Sequence, residues 1–211
     1  MKKLITLIAL LTLSLSVNAQ NKKFIAGMKK SIACMDSVKK TEQFQSCAND
    51  FERIANAEKK EWLPNYYAGY CYVLLAFNAP TDKIDALCDK ADQFLKKADS
   101  LNPNNSEIYV VRAMVASARI SVNPMARGMQ YGMESGTLLE KAIGFDPKNP
   151  RAYLQKGTST FYTPEMYGGG AKLAKPSFEK AIELYKTFKP ASEVHPNWGK
   201  AMTDDFLKKC E

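Results

Sequence analysis

The chain has 211 residues, a formal net charge of +8 and five cysteines, and 45% of its residues are hydrophobic. That is enough chain for one domain with a substantial core. The charge is dispersed, with lysines alternating with acids as in Glu179-Lys180 and Asp89-Lys90-Ala91-Asp92. This is the pattern of solvated helix surfaces, and no Arg-rich block or basic–aromatic interleaving marks a nucleic-acid groove.

Lys2 and Lys3 precede a nearly unbroken apolar run from Leu4 to Leu15, and Val17-Asn18-Ala19 supplies small residues before Gln20. The layout predicts a secretory signal peptide over 1–19, cleaved before Gln20. The run is shorter than the ~20 residues a spanning helix needs. Removal of the two leader lysines from the +8 leaves +6 on the mature protein. The expected product is an exported, periplasmic or extracellular chain, with 20–211 forming a single domain and no transmembrane segment.

Phe24, Met28, Ile32 and Met35 recur at helical spacing, so a first helix is expected over 22–39 and a second, capped by Thr41, over Glu42 to Lys59. Further on, a spaced triplet repeats. Ala91, Leu95 and Ala98 precede Pro103; Ser135, Leu139 and Ala142 precede Pro147 with the same offsets. Ala174, Phe178 and Ala181 form a third copy whose proline is displaced to Pro190, which implies a longer helix there, and Cys47, Phe51 and Ile54 form a weaker one. Offsets of four and three place these side chains on one helix face. The small outer residues admit a neighbouring helix, the larger middle one fills the remaining gap, and the proline ends the helix. Pro64 to Phe77, Ser106 to Ile120 and Pro150 to Tyr162 read as partner helices, with Ser106 a candidate N-cap and Pro64 and Pro150 suited to a first turn. The units are hairpins over approximately 22–59, 64–101, 106–145 and 150–189, with a closing helix over 196–210. A lone hairpin cannot bury its apolar face, whereas stacked hairpins can.

The run Ala-x3-Leu-x2-Ala-x4-Pro at 91–103 resembles the second helix of the tetratricopeptide repeat, and Ala152-Tyr153 through Gly157 resembles its first. The resemblance covers roughly residues 41 to 190 and implies an all-α fold: antiparallel helical hairpins stacked as a short right-handed solenoid. Pro103 and Pro147 lie 44 residues apart, whereas the family repeat is ~34. The glycine-rich link Tyr162 to Gly170, followed by Ala-x3-Phe-Glu-Lys-Ala, is similar to that of periplasmic members associated with substrate-binding transport components.

By the same resemblance, the first helices line a concave face. Aligning Gly157 and Ala113 to the family's small position turns Arg151, Leu154, Thr158, Phe161 and Tyr162 toward it, with Glu107, Val110, Met114 and Ser117. A looser alignment adds Asn65 and Tyr72. The implied function is a non-enzymatic scaffold holding a protein or peptide. The alternatives are a small-molecule binder serving an envelope transport system, with an enclosed cavity near the glycine link, and a structural subunit of an envelope complex.

Cys34 and Cys47 are equidistant from the turn near Lys40-Thr41, and Cys71 and Cys88 from the turn near Ala79-Pro80. Equal height across a hairpin makes 34–47 and 71–88 possible disulfides, while buried reduced cysteines remain the open alternative. No C-x-x-C is present and the only histidine is His195, in the loop-like Glu193-Val194-His195-Pro196. No metal site, cofactor or catalytic set is expected. Gly168-Gly169-Gly170 reads as a flexible link, and Asp204-Asp205 as acids early in the closing helix.

Overall fold

The computed structural model describes residues 22–211. The expected leader at 1–19 lies outside the described residues, among which every regular element is helical. Helix α1 spans 22–36. It is followed by α2 (Gln43–Ala57), α3 (Leu63–Ala76), α4 (Thr81–Leu101), α5 (Ser106–Ile120), α6 (Pro124–Phe145) and α7 (Pro150–Tyr162). A 3-10 turn at Glu165–Tyr167 leads to α8 (Ala171–Tyr185) and α9 (Lys200–Lys209). Neighbours in sequence pack on one another, and α5 additionally touches α3 and α7. The odd-numbered helices α3, α5 and α7 thus form one layer, flanked by α4, α6 and α8.

The triplets form the seams. Ala91, Leu95, Ala98, Ser135, Leu139, Ala142, Ala174, Phe178 and Ala181 are all buried. In α2, Cys47 and Phe51 are buried while Ile54 is half-exposed and Ala55 takes the inward place. The larger triplet residue meets a glycine on its partner helix. A Cβ on Gly69 would stand 2.7 Å from Leu95, and one on Gly157 would stand 2.6 Å from Phe178. The two helices of each pair approach so closely that only hydrogen fits there.

Capping asparagines set the helix starts. Asn105, Asn123 and Asn149 cap α5, α6 and α7, each accepting a backbone N–H from the first turn. Ser106, expected as a cap, is instead buried. Its hydroxyl donates to the Ala142 carbonyl at 2.8 Å and accepts from the Asn149 amide at 3.0 Å, tying α5, α6 and α7 together. Thr41 does not cap α2; Gln43 Oε1 accepts from the Lys39 and Lys40 N–H groups.

The C-terminal part departs most from the expected boundaries. Helix α8 stops at Tyr185, and 189–199 is non-helical, so the closing helix starts at Lys200 instead of 196. Pro190 and Pro196 deny this segment helical hydrogen bonds, and its apolar side chains find partners in the stack. Gly199 turns the chain into α9 at φ +104°, where any Cβ would collide with the Tyr185 hydroxyl.

Gly157→Ala is expected to cost about 1–3 kcal/mol by overpacking against Phe178. Urea unfolding of the variant checks it; unchanged stability would mean that the α7–α8 approach is looser than described.

Candidate functional site

A segment of the chain itself, 189–199, packs on the tyrosine-rich face of α3. Tyr67 donates to the Val194 carbonyl at 3.2 Å, and the Trp198 indole N–H donates to the Tyr66 hydroxyl at 2.9 Å. Trp198 stacks on Tyr70 at 4.6 Å, and Trp62 meets His195 edge-on at 5.8 Å. The Tyr185 hydroxyl donates to the Trp198 carbonyl, and Lys29 pairs with Glu193 at the rim. Residues 189–199 therefore form a non-helical strap, turned at 192–195, that contacts helices from both ends of the stack.

The eleven candidate residues fall accordingly. Asn65 is buried and donates to the Glu61 carbonyl; Tyr72 is buried and donates to Glu52. Val110, Met114 and Leu154 are core. Ser117 shares a hydrogen bond with Ser135 at 3.0 Å, and Thr158 donates back to the Leu154 carbonyl. Phe161 is half-buried against Phe206. Glu107 and Arg151 come together as a pair, while Tyr162 alone is exposed, at 70%.

Arg151 is 1% exposed. Its Nε donates to Glu107 at 2.7 Å, a second bond runs from Nη2, and the guanidinium lies 4.4 Å from the Phe188 ring and 5.9 Å from Trp198. Burial opposes the charged form, but the hydrogen bonds to Glu107 outweigh it and keep Arg151 protonated. This pair lies beneath Trp198 of the strap, and the buried Arg151 Nη1 has no hydrogen-bond partner. His195 is held through Nδ1 by Ser192 at 2.7 Å, and burial lowers its pKa.

The five cysteines are free thiols. The Cys34 and Cys47 sulfurs stand 3.3 Å apart. Cys88 Sγ faces the Val115 carbonyl at 3.9 Å, and burial pushes its pKa up to about 12. Among the described residues, no group of His, Cys, Asp and Glu is arranged to hold a metal.

With the tyrosine-rich face covered, the unexplained surface lies elsewhere. On α6, Met125, Met129 and Met133 are 94%, 82% and 69% exposed. They follow an i, i+4 row spanning about 12 Å of helix. Beside it runs a second i, i+4 row, Gly128, Gly132 and Gly136, where an added Cβ would meet nothing within 4 Å. Each of these glycines costs the helix about 0.5–1 kcal/mol relative to alanine, and no internal contact requires them. The Lys156–Glu140 bridge at 2.7 Å fixes the register of α7 on α6. Continued antiparallel, that register brings α7 to its end, Tyr162, opposite about Glu134, so Pro124–Met133 runs on beyond it. Tyr162, Met166 and Tyr167, all strongly exposed, lie at that same end. Asp85 of α4 anchors the overhang, accepting from both terminal nitrogens of Arg127 at 2.8 and 2.9 Å. The hydrogen bonds from Arg127 lower the Asp85 pKa.

A depression between α2, α3 and α4 is lined by Lys59, Lys97, three amide side chains and Phe94. The sequence carried the α6 signal openly as Met-x3-Met-x3-Met beside Gly-x3-Gly-x3-Gly. Reading only the Ser135–Ala142 triplet as informative left it aside.

Glu107→Gln is expected to destabilise the protein by about 3–5 kcal/mol, because it leaves a buried guanidinium without a counter-charge. The double substitution Arg151→Met, Glu107→Leu should recover most of that loss in the same denaturant titration. Equal losses in both variants would show that the pair is not a charge-balanced unit.

No family model matches the chain. A mannitol-1-phosphate 5-dehydrogenase from Exiguobacterium sibiricum is 35% identical over 69 residues. That match takes in 32% of this chain and only 18% of the dehydrogenase, so the chain spans less than a fifth of that relative. A solved structure, the HusA haemophore from Porphyromonas gingivalis, matches with a TM-score of 0.82 and 38% identity. The match covers 89% of this chain and 92% of the haemophore, and on that identity and coverage the protein belongs to the same family as HusA.

Proposed function

We propose that this protein is an exported binding protein for a planar, largely apolar tetrapyrrole of the haem class, and that the methionine–glycine face of α6 receives the ring. The observation that carries the reading is the likeness to a haemophore over nearly the whole of both chains. The exposed face agrees with it. Glycines in a row give a flat floor, and methionines beside them give a soft, adaptable wall that moulds to an apolar surface. Large apolar side chains left in water at such density mark a binding surface. Tyr162, Met166 and Tyr167 would close the far side. Lys172, exposed in the first turn of α8, would offer a positive charge to the ligand's carboxylates. Methionine and tyrosine are both side chains that can ligate haem iron, but apolar contact with the ring is sufficient for this reading.

The tetratricopeptide kinship and the export signal belong to the same proposal. Repeat architecture would supply a rigid support, and secretion would place the binder where a small-molecule cargo is collected. Peptide capture in the concave groove is disfavoured, because an incoming chain would have to displace Val194 and Trp198 from their tyrosine contacts.

Titrating the mature protein with haemin and with metal-free protoporphyrin, followed by the Soret band, is expected to saturate at one ligand per chain. Replacing Met125, Met129 and Met133 together by Ser should weaken binding at least tenfold. Replacing Gly128, Gly132 and Gly136 together by Ala should raise stability by roughly 2–3 kcal/mol and still weaken binding, because the methyl groups roughen the floor. Absence of any Soret change with the unaltered protein would sink the tetrapyrrole reading. Full affinity in both triple variants would move the site off α6.

A further inference from the structure

We propose that Cys34 and Cys47 are joined by a disulfide in the exported protein, clasping α1 to α2, while Cys71 and Cys88 remain thiols. The two sulfurs already stand 3.3 Å apart across the first hairpin. An S–S bond requires about 2.05 Å, so the sulfurs have only about 1.2 Å left to close. Cys34 is half-buried and can be reached by an oxidant, whereas Cys47 is buried behind it. That is the arrangement of an attacking thiol backed by a resolving one.

The chemistry balances with a disulfide-bearing oxidant, which an oxidising compartment supplies. The Cys34 thiolate attacks one sulfur of the oxidant, and the oxidant's other sulfur leaves as a thiolate. The Cys47 thiolate then attacks Cys34 Sγ and expels the second oxidant thiolate. The protein loses two protons and two electrons, and the oxidant's disulfide becomes two thiols. Burial, and then the Cys34 sulfur itself, push the Cys47 pKa up to about 12. The second step needs the Cys47 thiolate and should quicken with rising pH.

Cys71 is the competing partner. It is buried on α3, and the charges of Cys47 and Cys34 oppose its ionisation after burial itself. It lies close enough to feel both, yet its own depth denies it the oxidant. Cys88 lies in a different environment, facing α5 with Arg119 and Asp92 among its charged neighbours.

The full-length chain should be exported to a bacterial periplasm, purified without reductant, alkylated in denaturant and digested. The expected result is one linked peptide joining Cys34 to Cys47, with Cys71 and Cys88 alkylated. Reduction should lower Tm by about 5–10 °C, as a closed loop of this length implies. Cys34→Ser and Cys47→Ser should each show the lowered Tm with no further response to reductant, and Cys71→Ala should retain the link. Alkylated thiols at 34 and 47, or a peptide joining Cys47 to Cys71, would overturn the proposal. Neither outcome depends on tetrapyrrole binding.

Discussion

The stack depends on a close approach between helices that only a missing side chain permits. Gly69 receives Leu95 and Gly157 receives Phe178, each at a separation where a methyl group would already overlap. The small residues of the triplets, Ala91 and Ala98 on α4 and Ala174 and Ala181 on α8, bring the backbones together on either side of that contact. Between these two pairs, the α5–α6 seam uses Ala113 and Ala116 against Leu138 and Leu139. Burial of one large side chain into a near-backbone slot gives dense dispersion contact and fixes rotation and register together. Every later feature, including the overhang of α6 past α7, inherits its position from these seams.

The odd-numbered helices form one layer, and its face toward 189–199 carries Tyr66, Tyr67 and Tyr70 on α3 and Arg151 on α7. Left open, it would expose three aromatic rings and a cation whose partner sits deep in the protein. The strap at 189–199 resolves that. Its Val194 carbonyl and Trp198 indole bond the Tyr67 and Tyr66 hydroxyls, the Trp198 ring lies against Tyr70 and Arg151, and Val194 becomes part of the core. A face that binds its own chain in this way is a structural interface.

The division between what was legible in sequence and what was not follows the same line. Triplet spacing identifies seams because seam residues repeat at fixed offsets, so Ala91-Leu95-Ala98 and its copies marked the helices and their inward faces. Asn105 and Ser106 exchanged roles because both can cap, and only the neighbouring Ala142 carbonyl decides that the serine is better spent as a tether. The helix before the strap was expected to run to 189 and the closing helix to begin at 196, because a lone Pro190 does not tell where the preceding helix stops. Its destination depends on contacts more than a hundred residues away, such as Tyr66 with Trp198. The small-position alignment did not gather the candidate residues on one open face: Val110, Met114 and Leu154 went into the core, Arg151 lies under Trp198 of the strap, and Tyr162 stays exposed.

The methionine face of α6 illustrates the converse. Helical glycines normally record a contact: Gly69 and Gly157 do so, and substitution there is penalised. Gly128, Gly132 and Gly136 record none within the chain, and yet they lie in register beside three solvent-exposed methionines. A helix that accepts the entropy cost of three glycines and the hydration cost of three thioethers, on one strip, must be compensated by other interactions in the folded chain. The Arg127–Asp85 bidentate pair and the α5–α6 seam supply that compensation, holding the strip rigid from behind. Rigid support with a smooth, polarizable front is what a flat apolar ligand requires. One scaffold thus carries two kinds of helical glycine, inward ones that packing requires and outward ones that no contact within the described residues requires.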